Sequence, residues 1–366
     1  MGSRSRSPVA TDPGQVFTDL REVAQRVRDG LWQEVPESAQ ELPADERPAE
    51  QLSQLAQQER DRVLSAGADG LEKLADGRTD EISDDEAFGM EAIVLLEGRP
   101  AILVQNQDFA SQAGDWAVLD GHRAAIRESI ARVGRVEVSG HASLDWVGTA
   151  FLVGPDVVMT NRHVAAEFAL GDGAGWAFRQ GMGARIDMAE EYGAPATDAG
   201  PAADGVLAVD GGPAFEIAEV LGIHEDVDMA LLRVAPAAAG TALPAPLAVA
   251  ADAPAELTGH PVYCVGYPAY DGRRNEPESM RRIFMDIYNV KRLQPGTTTE
   301  FRPERTVVMH DCSTLGGNSG SPVFDLMDHR VLGLHFGGRY GFGNYAVPLW
   351  QLVDDPLLRR AAVNFV

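Results

Sequence analysis

The sequence predicts a mostly-β chain with an α-helical N-terminal prefix and a C-terminal helix, and three observations lead there. Beyond Gly134 the chain is written in short apolar runs separated by turn residues, with no long helical pattern between them, as in a barrel or sandwich. Its 38 glycines and 22 prolines suit a loop-rich fold. Ahead of that point, apolar residues recur at spacings of three and four instead, the mark of one helix face. With 366 residues, 45% of them hydrophobic, the chain is long enough for one large domain or two moderate ones with a sizeable core.

Residues 1–14 carry no apolar pattern and are expected to be disordered. From Gln15 to Trp32, Phe17, Leu20, Val23, Val27 and Leu31 form a helical stripe. Residues 33–48 hold Pro36, Pro43, Pro48 and several acids, and read as a linker. A second helical stretch runs from Ala49 to Leu74, with Gly67 and Gly70 expected to break it. Neither stretch sustains a heptad, so their apolar faces must dock on the downstream domain or on a partner. Thr79–Glu86 is acidic and reads as a solvated connector. Two apolar runs between Glu91 and Phe109 flank Glu97-Gly98-Arg99-Pro100, a hairpin signal. Residues 118–133 fit a helix. The expected organisation is a helical, partly disordered region over 1–90, a hairpin and helix connector over 91–130, and a β domain over 131–366.

The expected strands are Arg135–Ser139, Gly148–Val153, Val157–Thr160, Phe215–Ile223, Met229–Val234, Pro261–Tyr267, Arg282–Asn289, Thr306–Asp311, Pro322–Asp325, Val331–Phe336 and Asn344–Val347. The Gly/Ala/Asp-rich stretch Gly171–Gly212 reads as a surface insertion, and Ala235–Pro254 as a connection between two halves. A last helix is expected over Leu349–Ala362.

A net charge of −24 argues against nucleic acid and anionic membrane surfaces as partners. Two isolated cysteines, Cys264 and Cys312, read as buried, reduced thiols. The basic start is followed by no apolar run, and no stretch of 18 apolar residues occurs; neither a signal peptide nor a membrane span is expected, and the default home is the cytoplasm.

Chemistry concentrates in Asp311–Asp325, D-C-S-T-L-G-G-N-S-G-S-P-V-F-D. A serine among glycines makes a turn that can aim the amides of Gly317 and Ser319 at one spot beside the Ser319 hydroxyl, an oxyanion hole next to a nucleophile. A second segment, Thr160-Asn161-Arg162-His163-Val164-Ala165, places a histidine just beyond an apolar strand pair. In the third, Asp228-Met229-Ala230-Leu231-Leu232, an acid opens a continuous apolar run, the pattern of a doubly buried strand.

T-x-x-H-V-A, D-x-A-L-L and G-N-S-G-S-P, in that order and 65 and 91 residues apart, resemble the trypsin-like (chymotrypsin-fold) serine peptidases, most of all the bacterial branch that includes the glutamyl endopeptidases. The resemblance covers about residues 131–350 and implies two six-stranded antiparallel β-barrels with the site between them, and peptide-bond cleavage through an acyl-enzyme. It assigns His163 as general base, Asp228 as its orienting acid, Ser319 as nucleophile, and the amides of Gly317 and Ser319 as the oxyanion hole. Asp226 shares the strand parity of Asp228 and stays an alternative, although the family places the acid directly before the apolar run. His163 could instead be a capping or core histidine. The cluster His224-Glu225-Asp226-Asp228 lacks a recognised metal-ligand spacing. An α/β-hydrolase is excluded, because the turn is not G-x-S-x-G and the residue order is wrong.

Two departures bear on control and specificity. Asn318 stands where digestive members carry the aspartate that receives a new N-terminus, so that activation switch is expected to be absent, and the prefix becomes the expected controlling element. Ser313 replaces the acid that would favour Arg or Lys. Gly333-Leu334-His335-Phe336-Gly337-Gly338 resembles the substrate-binding wall of the glutamyl branch; Thr314 and His335 match positions that hold an acidic side chain, with Gly337 beside them. His335 reads equally well as a strand residue bonded to backbone. The expected function is a serine endopeptidase for protein or peptide substrates, needing no cofactor or metal. The rival is a latent or inactive protease-like module that binds proteins, or a larger effector assembly in which the prefix docks a regulatory partner.

Overall fold

The computed structural model describes residues 19–31, 47–83, 85–86, 90, 98–171, 175–192, 214–236, 242–270, 284, 287–339 and 343–366. Two compact units emerge, Met1–Pro100 with Glu276–Met285, and Ala101–Asn275 with Asp286–Val366.

In the first unit, α1 (Leu20–Leu31) packs on α2 (Arg47–Ala75) through a core of Val23, Ala24, Val27, Val63, Leu64, Ala68 and Leu71. α2 starts inside the expected linker, whose residues 33–46 lie outside the described ones. It also runs unbroken through Gly67 and Gly70, against expectation. Both glycines are buried, and a β-carbon on Gly70 would meet Met90 Cγ at 2.9 Å. Close packing therefore offsets the roughly 1 kcal/mol that a mid-helix glycine costs. Glu86 is held by Lys73 Nζ at 2.7 Å, so the acidic stretch is not wholly solvated.

The second unit opens with β1 (Ile102–Gln105) and β2 (Asp108–Phe109), joined by Asn106 and Gln107 at φ 54 and 56. The turn lies there; the first run of the expected hairpin, residues 91–97, is outside the described residues. The expected helix over 118–133 is α3 (Val118–Gly121) and α4 (Arg123–Ile130), interrupted at His122.

Next come β3 (Val133–Ser139), β4 (Trp146–Gly154), β5 (Val157–Thr160), α5 (Arg162–Phe168), the small pair β6 (Ala169–Gly171) and β7 (Trp176–Phe178), then β8 (Gly183–Asp187), β9 (Ala214–Ile223) and β10 (Ala230–Pro236). β10-β5-β4-β3-β8-β9 close into a six-stranded barrel. β8 corrects the reading of 171–212 as a surface insertion, for its Ala184 and Ile186 are buried in the barrel; residues 193–213 lie outside the described ones.

β11 (Pro261–Gly266), β12 (Arg292–Arg302), β13 (Val307–His310), β14 (Pro322–Asp325), β15 (Val331–Arg339) and β16 (Gly343–Pro348) form a second barrel in the order β11-β14-β15-β16-β13-β12, closed by β11 against β12, with β1 added on β12. The two closed six-stranded barrels are as expected. The strand placed at Arg282–Asn289 is instead Arg292–Arg302: Ile287–Asn289 lie in no strand, and residues 282, 283, 285 and 286 are outside the described ones. The C-terminal helix shrinks to α6 (Pro356–Arg360), because the Asp355 side chain caps it and Pro356 starts it, preceded only by a short 3₁₀ turn at Leu349–Leu352.

β4, β5 and β10 are apolar on both faces because both faces are covered. Ala150, Leu152, Val158, Ala230 and Leu232 fill the first barrel, while Phe151, Val153, Met159 and Leu231 join Tyr263, Phe324 and Leu334 of the second in one shared core. Cutting one such buried leucine to alanine costs about 2–5 kcal/mol. Cys264 and Cys312 are buried free thiols in the second barrel, as expected.

Candidate active site

Antiparallel pairing sets Thr160 opposite Ala230, so the chains that leave β5 and enter β10 meet at one barrel rim. Buried Asn161 ties them, its Nδ2 donating to the Asp228 carbonyl at 2.9 Å. Two residues on, His163 is bound to Asp228 twice: its amide donates to Oδ1 at 3.1 Å, and its Nδ1 lies 2.6 Å from Oδ2. A carboxylate only accepts, so Nδ1 carries the proton and Nε2 keeps its lone pair. The His163 side chain is 50% exposed and that of Asp228 23%. Burial raises the Asp228 carboxyl, but the hydrogen bonds and charge of His163, helped by Arg162, outweigh it and hold the group below the usual carboxylate range. The acid in contact with His163 is thus Asp228. Asp226 is exposed and gives its amide to His224 Nδ1 at 3.1 Å, while His224 Nε2 sits 3.1 Å from Asp355. His224 therefore braces a turn, and its acidic neighbours do not converge on a cation.

Between β13 and β14 the turn from Leu315 to Ser321 ties nearly all of its carbonyls. The carbonyl of Leu315 accepts from Asn318, that of Gly316 from Ala269, that of Asn318 from Ser321, and that of Ser319 from Thr149, at 2.8–3.2 Å. The Gly317 carbonyl accepts from Thr149 Oγ1 at 2.8 Å. The Gly320 amide donates to His335 O at 2.9 Å. Among the described residues, the amides of Leu315, Gly316, Gly317 and Ser319 in this turn donate to no protein group, and the last two flank the Gly317–Asn318 peptide beside the Ser319 hydroxyl. Gly317 and Gly320 have φ of +77 and +90; a β-carbon would meet Tyr267 O at 2.4 Å at the first and Thr149 O at 1.9 Å at the second, so no larger residue fits.

Ser319 comes close to α5 across Gly148, where an added β-carbon would meet Val164 Cγ2 at 2.7 Å and Ser319 O at 2.9 Å. No hydrogen bond joins the Ser319 hydroxyl to His163 among the described residues. Asn318 is buried and donates to Gln294 Oε1 at 2.8 Å, which gives the uncharged residue a neutral partner inside the barrel.

On β15, His335 is 2% exposed, and its amide donates to Ser321 O at 2.9 Å. Its Nδ1 lies 3.1 Å from Nε2 of His310 at the end of β13. Burial, then His310 and His163, push the His335 pKa well below the ordinary histidine value; burial takes His310 down to about 4 against the pull of Asp311. Thr314 donates to Asn344 Oδ1 at 2.7 Å, and Asn344 Nδ2 donates to Cys312 O at 2.6 Å. Gly337 pairs with Tyr345, after a bulge that separates it from His335. His310, Thr149 and Asn161 escaped the sequence reading, since a polar residue at a strand end or rim carries no periodic signal; Asn161 lay within a quoted motif, Thr149 within the expected strand Gly148–Val153, and His310 directly precedes the Asp311–Asp325 stretch.

Known proteins resemble this chain in sequence and in shape. A probable serine protease from Lysobacter enzymogenes is 29% identical over 329 residues, 79% of each chain. The Rv3671c protease from M. tuberculosis in its active form is similar at 21% identity and a TM-score of 0.43, over 68% of this chain and 88% of that one. A serine endoprotease from Yersinia pestis is similar at 16% identity and a TM-score of 0.41, over 64% and 65%. The family model of the trypsin-like peptidase domain matches residues 148–334, just over half of the chain and the span that holds both the His163–Asp228 pair and the Ser319 turn, and the chain belongs to that family.

Proposed function

We propose that this trypsin-like serine protease is an endopeptidase in which Ser319 is the nucleophile, His163 the general base and Asp228 the acid that orients it. The doubly bonded His163–Asp228 pair carries the reading. It holds Nδ1 protonated and leaves Nε2 to take the proton of Ser319 as Oγ attacks the scissile carbonyl. The carbonyl oxygen becomes an oxyanion, for which the amides of Gly317 and Ser319, unbonded to protein groups among the described residues, serve as donors. Collapse expels the amine, which receives the proton from His163, and leaves an ester on Ser319; water, deprotonated by His163, then releases the acid. Asp228, still ionised, stabilises the imidazolium in both steps.

The same reading assigns the chain to the glutamyl endopeptidase branch, with Thr314, His335 and Gly337 receiving an acidic side chain before the scissile bond. Support comes from the histidine pair. If His310 donates Nε2–H to His335 Nδ1, its own unpartnered Nδ1 is a bare acceptor, which costs less than a buried unpaired donor. His335 then carries its proton on Nε2 and offers a neutral donor to a carboxylate. The prefix is the proposed regulatory element, and its own helical core suits a part that docks a protein partner.

A fluorophosphonate probe should label the wild type and not Ser319→Ala, and a peptide library should be cut after Glu or Asp. Equal labelling of the two proteins removes the assignment; cleavage indifferent to acids removes the branch alone. Deleting residues 1–90 should change the peptidase rate if the prefix regulates.

A further inference from the structure

Thr149 is 0% exposed on β4 and uses every hydrogen-bonding group it has. Its amide donates to Ser319 O at 2.8 Å. Its hydroxyl donates to Gly317 O at 2.8 Å and accepts from the Tyr267 amide at 3.3 Å. Its carbonyl accepts from Thr160 Oγ1 at 2.7 Å, one residue before the Asn161 that holds Asp228.

We propose that the Thr149 hydroxyl is a positioning group for the oxyanion hole, which it holds in shape by pinning the peptide unit between Gly317 and Asn318. This rests on Ser319 being the nucleophile. A glycine at φ +77 imposes little of its own preference on the peptide units it joins. Backbone donors hold the carbonyls of Gly316, Asn318 and Ser319, and Asn318 N is bound to Leu315 O. Among the described residues the carbonyl of Gly317 has only the Thr149 hydroxyl; without it that peptide keeps a single tie, the 3.2 Å bond from Asn318 N to Leu315 O, and can tilt about it and carry the neighbouring amides away from the oxyanion. Because the hydroxyl also accepts from Tyr267, it is oriented rather than free to spin. Thr149 is moreover the point at which a first-barrel strand grips the second-barrel turn. The hole is therefore held in register with His163 through Thr160 and Asn161. Thr149 touches no reacting atom; it acts through the Gly317 and Ser319 amides.

The test compares Thr149→Val, which keeps the shape and loses the hydroxyl, with Thr149→Ser, which keeps the hydroxyl, in the full chain. Thr149→Val should lower kcat about 10- to 100-fold with KM within about twofold, a smaller loss than removing an oxyanion donor outright. A peptide aldehyde, whose adduct places an oxyanion in the hole, should lose affinity by a similar factor. Thr149→Ser should restore kcat to within about threefold of wild type and recover aldehyde binding. Thr149→Ala takes the place of the valine variant if that does not fold. Unchanged kcat in a folded Val or Ala variant overturns the proposal, as does a loss shared equally by KM, or a folded serine variant that stays impaired. Fluorophosphonate labelling of Ser319→Ala, run alongside, separates this failure from a wrong nucleophile: labelling there sinks the catalytic assignment whatever Thr149 does.

Discussion

Each barrel holds a histidine of the two motif-bearing segments in a different state. The first barrel holds His163 half exposed against a carboxylate whose pKa lies below the usual range. The second holds His335, 2% exposed, against another histidine, and both resist protonation. Coulomb attraction prevails where water and an acid are at hand; desolvation prevails where both rings are buried and each is bonded to the other. The first arrangement suits a ring that must become cationic during a reaction, and the second suits a fixed neutral donor.

Breaking the first pair should have the largest effect. Asp228→Asn keeps the shape but removes the group that selects the His163 tautomer, and kcat should fall about 10⁴-fold. The melting temperature should stay within a few degrees; a steady-state assay with a melting curve checks both. The second pair should show itself in stability. The folded state binds protons at His310 and His335 less readily than the unfolded chain does. Stability is thus complete above the ordinary histidine value and declines as pH falls below about 6.5. The loss from His310 levels off below its folded value of about 4 and amounts to something on the order of 3 kcal/mol. Urea unfolding at pH 8, 6 and 4.5 should reveal the decline, and His310→Phe should reduce it. The smallest effect belongs to the support of the first pair. Asn161→Ala deletes one buried hydrogen bond to Asp228 and should cost about 1–3 kcal/mol of stability, with less than a tenfold loss of kcat.

The comparison also explains what could be read from the chain beforehand. β4, β5 and β10 were legible because burial on both faces writes unbroken apolar runs. β8, G-A-R-I-D, buries only Ala184 and Ile186 among polar neighbours, so it passed for a loop. β12 was missed because Pro295 and Gly296 interrupt R-L-Q-P-G-T-T-T-E-F-R; pairing with Tyr263 and Val262 overrides that local signal. Gly70 of α2 misled in the opposite direction, since close packing against distant Met90 outweighs helix propensity. At the site, His163, Asp228 and Ser319 stood out through motifs. His310 did not, because its meaning lies in a cross-barrel neighbour 25 residues away.

The two cysteines have a practical bearing on measurement. Burial pushes the Cys264 thiol up to about 12, even with Ser321 working the other way, and the Cys312 side chain is as enclosed. While the second barrel stays shut, Cys264 offers no thiolate at neutral pH and neither side chain can be reached by a reagent. Alkylation by a small maleimide or iodoacetamide thus becomes a clock for opening of that barrel, with no engineered label and without disturbing the first.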